Sequence, residues 1–175
     1  MFKVMIYHFK ITSPESRHFQ LEVEVNGEHT FYDFHTLIQN SIDYQSHQLA
    51  SFFIAGRNGR KLTEISLLDF GLDGGAYLTM HKTKISDFIK SKSQQLIYTY
   101  DFINDRSFYI ELTGLIMEKN LREPYVSSKQ GEAPVQILDE ESRTQEATTI
   151  QEEEVLMDFG ILDDYSELYG EMEDF

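Results

Sequence analysis

Two runs of alternating, aromatic-rich residues dominate the hydrophobic pattern between residues 95 and 115, and a short polar break at 103–105 separates them. In the first run Leu96, Tyr98 and Tyr100 share one face, and in the second Phe108 and Ile110 do the same. Alternation with a period of two residues is typical of β-strands, and a polar break between two such runs is typical of a hairpin. The pattern therefore predicts a β-hairpin inside a sheet.

Residues 1–44 contain two more alternating runs and one helical pattern. Residues 2–12 and 19–25 alternate on either side of a turn at Pro14, and they predict an antiparallel N-terminal hairpin. Thr30 followed by Asp33 resembles the capping box that begins many helices, with aspartate in place of the usual glutamate. Apolar residues then recur at helical spacing, which predicts a helix over 31–44 that covers the hairpin.

Shorter signals fill the middle of the chain, and each predicts one small element. They are two strands at 49–55 and 76–81, a single helical turn at 66–71 and a short amphipathic helix at 82–92. The strand pattern stops after Met117, which predicts an irregular segment through Pro134. Together these elements predict an α+β fold, with a mixed or antiparallel sheet and one main covering helix, arranged as a β-grasp or a roll.

The charge of the chain is concentrated at one end. Residues 138–175 contain fourteen acidic residues and one basic residue, which gives −13, whereas residues 1–137 contain sixteen acidic and fourteen basic residues, which gives −2. Residues 139–154 have few apolar groups and cannot bury enough surface to offset the entropy of an ordered chain. The sequence therefore predicts an α+β domain over 1–136 and an acidic, largely disordered tail over 137–175.

Hydrophobic residues return among the acids after residue 154, and three interpretations stay open. They form a motif that becomes helical on contact with a partner protein, or they fold back onto lysines of the domain, or the tail only improves solubility. The residues of this tail motif are Leu156, Met157, Phe159, Ile161 and Leu162.

Several classes of chemistry have no signal in this sequence. The chain has no cysteine, no phosphate-loop motif and no G-x-S-x-G serine motif. We therefore expect no catalytic residue, no metal and no cofactor. Its start lacks the unbroken apolar stretch of a signal peptide, and no run reaches the ~20 apolar residues of a membrane span, so we expect a cytoplasmic protein. The histidines lack metal-ligand spacing and are assigned solvent or packing roles; they are His8, His18, His29, His35, His47 and His81.

The best polar cluster lies at the tip of the central hairpin, at Asp101, Asn104, Asp105 and Arg106. One interpretation is a small hydrophilic site that binds a cation. The favoured interpretation is that Asn and Asp supply the hydrogen bonds of the turn. Asp101 needs a partner because it lies on an aromatic strand, and Arg106 or a lysine from 82–92 could provide it.

Four lysines around the predicted helix at 82–92 form the strongest basic patch: Lys82, Lys84, Lys90 and Lys92. Such a patch could contact nucleic acid phosphates. Two features oppose that function: the near-neutral domain would not attract a polyanion, and the strongly acidic tail would repel one. The favoured interpretation is a solvated helix face.

The central hairpin also resembles a known family. Tyr100-Asp101-Phe102, Asp105 and Ile110 are similar to the Y-D-F-G-D-D-W-x-H-x-I signature of proteins like the third open reading frame of Ri plasmids, also described as TnpR-like passenger proteins of insertion elements. Three further stretches resemble motifs of that family in the same order: residues 49–54, residues 85–88, and Pro124-Tyr125 with residues 131–134. The resemblance covers about residues 2–136.

This resemblance implies an α+β fold and a link to plasmids and mobile elements, and it implies no activity. The chain departs from the signature at Ile103, Asn104, Arg106 and Phe108, which stand in place of glycine, aspartate, tryptophan and histidine. We therefore expect a non-catalytic interaction or accessory module that engages a partner protein through the acidic tail or the hairpin surface. The alternative is a nucleic-acid-associated regulator whose tail mimics DNA or masks the basic patch. The sequence leaves the oligomeric state open.

Overall fold

The computed structural model describes residues 4–71, 77–118 and 121–139. The chain divides into two units, Met1–Gln136 and Ile137–Phe175. Within the described part of the first unit, eight strands and two helices follow one another: β1 Val4–Thr12, β2 Gln20–Asn26, α1 Phe31–Ser41, β3 Ser51–Ala55, β4 Lys61–Ser66, β5 Leu78–Thr79, α2 Ile85–Phe88, β6 Gln95–Asp101, β7 Arg106–Glu118 and β8 Tyr125–Gln130. The predicted disorder of the tail lies outside the described residues.

The strands form one mixed sheet in the order β5-β4-β3-β6-β7-β1-β2-β8. Each neighbouring pair is antiparallel except β4 and β5, which are parallel. Both predicted hairpins are present, and β1 of the first pairs with β7 of the second, so the two hairpins form the centre of the sheet. The α+β fold with a mixed sheet and one main helix is confirmed.

Helix α1 packs against one face of the sheet, which we call the inner face. Phe34 of the helix lies between Phe9 of β1 and Phe52 of β3, with ring centroids 5.0 and 5.2 Å away. Phe31 contacts Phe52 edge-on at 5.3 Å. Buried aromatic rings contribute both large apolar areas and favourable ring geometry. This aromatic layer fixes the helix on the sheet.

The helix also buries a small polar network against the inner face. His35 and Gln39 lie one turn apart and both reach the hydroxyl of Tyr98, with Nδ1 at 2.7 Å and Nε2 at 2.8 Å. All three residues are buried. Because the Gln39 amide donates to the hydroxyl, the hydroxyl hydrogen is available to His35 Nδ1, which fits a neutral imidazole. Burial and the nearby His81 lower the pKa of His35 from 6.5 to about 4.

The N-terminus of α1 is capped as the sequence predicts. Thr30 Oγ1 accepts from the Asp33 amide at 3.1 Å, and Asp33 Oδ2 accepts from the Thr30 amide at 2.8 Å. We expect Thr30→Ala to lower the free energy of unfolding by about 1 kcal/mol because the Asp33 amide loses its side-chain acceptor. Urea denaturation measures the change. Thr30→Ser keeps the hydroxyl and should be close to wild type; equal loss in both variants would contradict this explanation.

Four local predictions were wrong in extent or type. Helix α1 ends at Ser41 rather than at 44, and α2 has four residues rather than the eleven predicted over 82–92. Residues 66–71 do not form a helical turn. The residues before this segment form a strand that was not predicted, β4 at Lys61–Ser66. Only Ile65 of β4 is buried, so its sequence shows little alternation of apolar and polar residues. The segment predicted to be irregular contains β8, an edge strand that pairs with β2.

Candidate functional site

The turn of the central hairpin is built by its own polar residues. Asp101 Oδ1 accepts hydrogen bonds from the amides of Ile103 and Asn104, both at 3.1 Å. Asp101 Oδ2 accepts from the Asn104 side-chain amide at 2.7 Å. Asp105 adopts a left-handed conformation with φ of 50°, which Asp tolerates better than most residues. Three of the four residues of the predicted polar cluster therefore stabilise the turn itself.

The fourth residue, Arg106, lies buried beside Asp101. Its NH1 is 3.6 Å from Asp101 Oδ2, so the ion pair expected for this aspartate is present. Burial by itself raises the pKa of Asp101. The hydrogen bonds from Asn104 and the charge of Arg106 outweigh burial and hold the pKa below its ordinary value.

Arg106 also joins the hairpin to two distant segments. Its Nε and NH2 donate to the two carboxylate oxygens of Glu15 at 2.7 and 2.8 Å. Its NH2 and NH1 donate to the backbone carbonyls of Val135 and Gln136 at 2.7 and 3.2 Å. The hydrogen bonds to the Glu15 side chain raise the pKa of Arg106 further, and burial opposes this rise. Glu15 was not among the predicted site residues, because a partner 91 residues away leaves no local sequence signal.

Three lysines of the predicted basic patch bind oxygen atoms of the protein itself. Lys82 pairs with Asp69 at 3.1 Å, and Lys84 pairs with Glu28 at 2.7 Å. The Lys90 ammonium donates to the Ser86 carbonyl. The fourth, Lys92, is exposed after α2. Two of the positive charges that would contact phosphates are thus already neighboured by carboxylates.

The face of the sheet opposite α1, the outer face, has an apolar row across three strands. Phe53 of β3 lies opposite Ile97 of β6, and Ile97 lies opposite Tyr109 of β7. The adjacent residues on the same strands, Phe52, Tyr98 and Phe108, point to the inner face. Phe53, Ile97 and Tyr109 therefore point to the outer face. Ile97 is buried between its neighbours, whereas half of Tyr109 is exposed. The sequence placed Ile97 and Tyr109 on this side of the hairpin but did not indicate that they form a surface.

Two clefts border Tyr109. The first, of about 180 Å³, lies toward the turn and includes the pairs Lys61–Asp105 and Glu15–Arg106 in its wall. The second, of about 250 Å³, lies on the other side of the ring. Its wall consists of Tyr109 with Lys10, Thr12, Gln95, Ile110 and Glu111. The Tyr109 side chain therefore borders both a cleft lined by paired charges and a second, polar cleft.

The tip of the hairpin adds exposed apolar side chains. Ile103 is 85% exposed and Phe102 is 46% exposed. The turn that contains both residues borders the first cleft through Asp105. We define the hairpin surface as Phe53, Phe102, Ile103 and Tyr109 with the two clefts.

The described residues include neither a cluster of metal ligands nor a membrane-spanning helix. Among residues 4–71, 77–118 and 121–139, no group of three or more His, Cys, Asp or Glu side chains is placed to hold a metal ion. Nor does that part of the chain contain a helix with the length and apolar character needed to cross a membrane. The predicted tail motif at Leu156, Met157, Phe159, Ile161 and Leu162 falls on residues that the structure does not describe.

Comparisons with known proteins agree with the fold and supply no activity. A family model described as plasmid pRiA4b ORF-3-like protein matches residues 6–169. A crystal structure of MM3350, a protein of unknown function from Methanosarcina mazei Go1, superposes with a TM-score of 0.55 at 22% sequence identity. The superposition covers 73% of this chain and 70% of that one. No curated protein matches this chain at a significant level. The family match continues past residue 136 into the acidic segment, which corrects the extent predicted from the motifs.

Proposed function

Since the chain belongs to the family of plasmid pRiA4b ORF-3-like proteins, we propose that it is a partner-binding accessory module of a system linked to plasmids or mobile elements, acting in the cytoplasm. The docking site in this proposal is the hairpin surface. The partner is a protein that presents an extended segment with large apolar side chains.

One observation carries the proposal: Ile103 is 85% exposed in a turn that does not need it. The side chain of Asp101 accepts the hydrogen bonds of the turn, from Ile103 and Asn104. Residue 103 contributes only its backbone amide, which any residue type except proline could supply. A polar residue or glycine is the usual choice in such a turn. An exposed isoleucine in a turn that shares a cleft with the half-exposed Tyr109 is the kind of apolar group that interfaces bury.

The clefts favour a polypeptide over a nucleic acid. Tyr109 can act as an anchor because it is a large, rigid side chain with a polar tip, and side chains of a partner segment can enter the clefts on either side. The cation on the turn side, Lys61, already pairs with Asp105 at 2.8 Å. A polyanion would have to compete with that carboxylate, whereas an apolar side chain would use the exposed ring.

Peptide display against the full-length chain tests this function. Extended peptides selected on the wild type should bind Ile103→Asp and Tyr109→Ser at least about thirty-fold more weakly, the loss typical of a residue central to an interface. Met117→Asp is the matched control, because Met117 is 58% exposed at the end of β7 opposite the turn. Fluorescence anisotropy with a labelled peptide gives the dissociation constants. Equal loss in all three variants, or none, would count against the hairpin surface.

The nucleic-acid alternative makes a different prediction. If the tail masks the basic patch, removal of residues 138–175 should produce DNA binding that weakens steeply with salt and is lost in Lys82→Ala/Lys84→Ala. We expect no such binding, because both lysines already pair with carboxylates. Electrophoretic mobility shifts at 50 and 200 mM salt distinguish the two functions.

A further inference from the structure

A second polar group on the outer face surrounds His8, which lies two residues along β1 from Lys10 of the second cleft. In the ladder of β1 with β7, His8 pairs with Gly114 and Phe9 with Leu112, so Thr113 is an extra, bulged residue. In the ladder of β2 with β8, the same irregularity leaves Ser127 as the extra residue. Bulges redirect side chains and occur often beside functional sites. Here both bulges direct a hydroxyl to the same imidazole, at 3.0 Å from Nδ1 and 3.2 Å from Nε2.

The hydrogen bonds determine which nitrogen of His8 has the proton. Thr113 Oγ1 donates its only hydrogen to the His8 carbonyl at 3.1 Å. The same oxygen can therefore only accept from the ring, so the proton lies on Nδ1. Nε2 then has a free lone pair directed at the Ser127 hydroxyl. This is the arrangement of a base placed to remove a proton from serine.

A carboxylate completes the group. Glu22 Oε2 lies 3.6 Å from His8 Nε2, and Gln20 holds the other oxygen of Glu22 at 2.7 Å. Glu22 therefore faces the same nitrogen as Ser127 and places a negative charge beside the position to which the serine proton would move. Ser127 is exposed on the edge strand, so a reagent can reach its hydroxyl. The sequence alone indicated a solvent or packing role for His8, because its partners are more than a hundred residues away in the chain.

We propose that Ser127 is a nucleophilic serine activated by His8, which takes up acyl or phosphonyl groups from compounds with a good leaving group. Ser127 Oγ forms the new bond to the acyl carbon or phosphorus while its proton moves to His8 Nε2. The bond to the leaving group breaks, and the leaving group takes the electron pair and then the proton from the imidazolium. Thr113 is a positioning residue that fixes the tautomer of His8.

A fluorophosphonate probe tests the reaction on the full-length chain. The expected product is a single adduct on Ser127 with loss of hydrogen fluoride, located by mass spectrometry of peptides. His8→Gln should slow labelling by about a hundred-fold or more, the usual contribution of a general base. Ser128→Ala is the control, because Ser128 is the neighbouring serine and lies in the regular ladder opposite Glu22; its labelling rate should equal that of the wild type.

Two variants of Thr113 separate activation from ordinary serine reactivity. Thr113→Val should slow labelling and Thr113→Ser should restore it, because only the hydroxyl accepts from Nδ1. No adduct on Ser127, or labelling that does not depend on His8, would overturn the proposal.

Discussion

Acidification from pH 7.5 to pH 5 is expected to lower the free energy of unfolding by about 2 kcal/mol through His35 alone. The imidazole is buried between α1 and the sheet, where burial and the nearby His81 lower its pKa from 6.5 to about 4. Between these two values the unfolded chain binds a proton at His35 and the folded chain does not. The contribution is therefore complete above pH 6.5 and is lost progressively as the pH falls toward 4.

Urea denaturation at pH 7.5, 6 and 5 measures this loss. His35→Asn keeps an acceptor near the Tyr98 hydroxyl but does not titrate, so its stability should fall by about 2 kcal/mol less than that of the wild type over this range. His18→Gln is the control for the removal of a histidine, because His18 is exposed. Parallel pH curves for the wild type and His35→Asn would show that His35 does not control acid stability.

Arg106→Ala is expected to lower the free energy of unfolding by about 3 kcal/mol, the loss found when one partner of a buried ion pair is removed. The variant leaves the Val135 and Gln136 carbonyls and the Glu15 carboxylate without their donor. It also removes the guanidinium from the ring of Tyr100, 5.1 Å away.

The geometry of the guanidinium predicts a graded series. Arg106→Lys keeps the charge but cannot bridge both carboxylate oxygens and the two carbonyls, so its stability should lie between those of Arg106→Ala and the wild type. Lys82→Ala breaks the exposed pair with Asp69 and should stay close to the wild type in stability. Chemical denaturation of the three variants gives the order. Similar losses for Arg106→Ala and Lys82→Ala would contradict the role of Arg106 as a buried connector.

Sequence patterns predicted the elements whose side chains face two different environments. The central hairpin and β1–β2 alternate because one face contacts the aromatic layer, and α1 has a recognisable cap at Thr30. The strands that were missed lack this contrast. In β4 only Ile65 is buried, and β8 joins the edge of the sheet through backbone hydrogen bonds, with Val126 packed against the core. Backbone pairing at an edge leaves little trace in the pattern of hydrophobic residues.

The candidate site was predictable only in part, because several of its contacts join segments that are distant in the chain. Local rules placed Asp101, Asn104 and Asp105 in a turn and predicted a partner for Asp101. Contacts between distant segments have no local signal, so the sequence did not reveal the Arg106–Glu15 pair. The apolar row of the outer face depends on the register of β3 with β6, which periodicity alone does not give.

Site-specific photo-crosslinking tests the hairpin surface most directly. We expect Ile103→p-benzoylphenylalanine, introduced into the full-length chain in cells, to give one discrete adduct whose partner peptide mass spectrometry can identify. That adduct should disappear when Tyr109→Ser is added, and the same photoreactive residue at position 117, at the end of β7 opposite the turn, should not give it. An adduct of equal yield from both positions, or one that persists without the Tyr109 ring, would contradict the proposal that this chain binds its partner through the central hairpin.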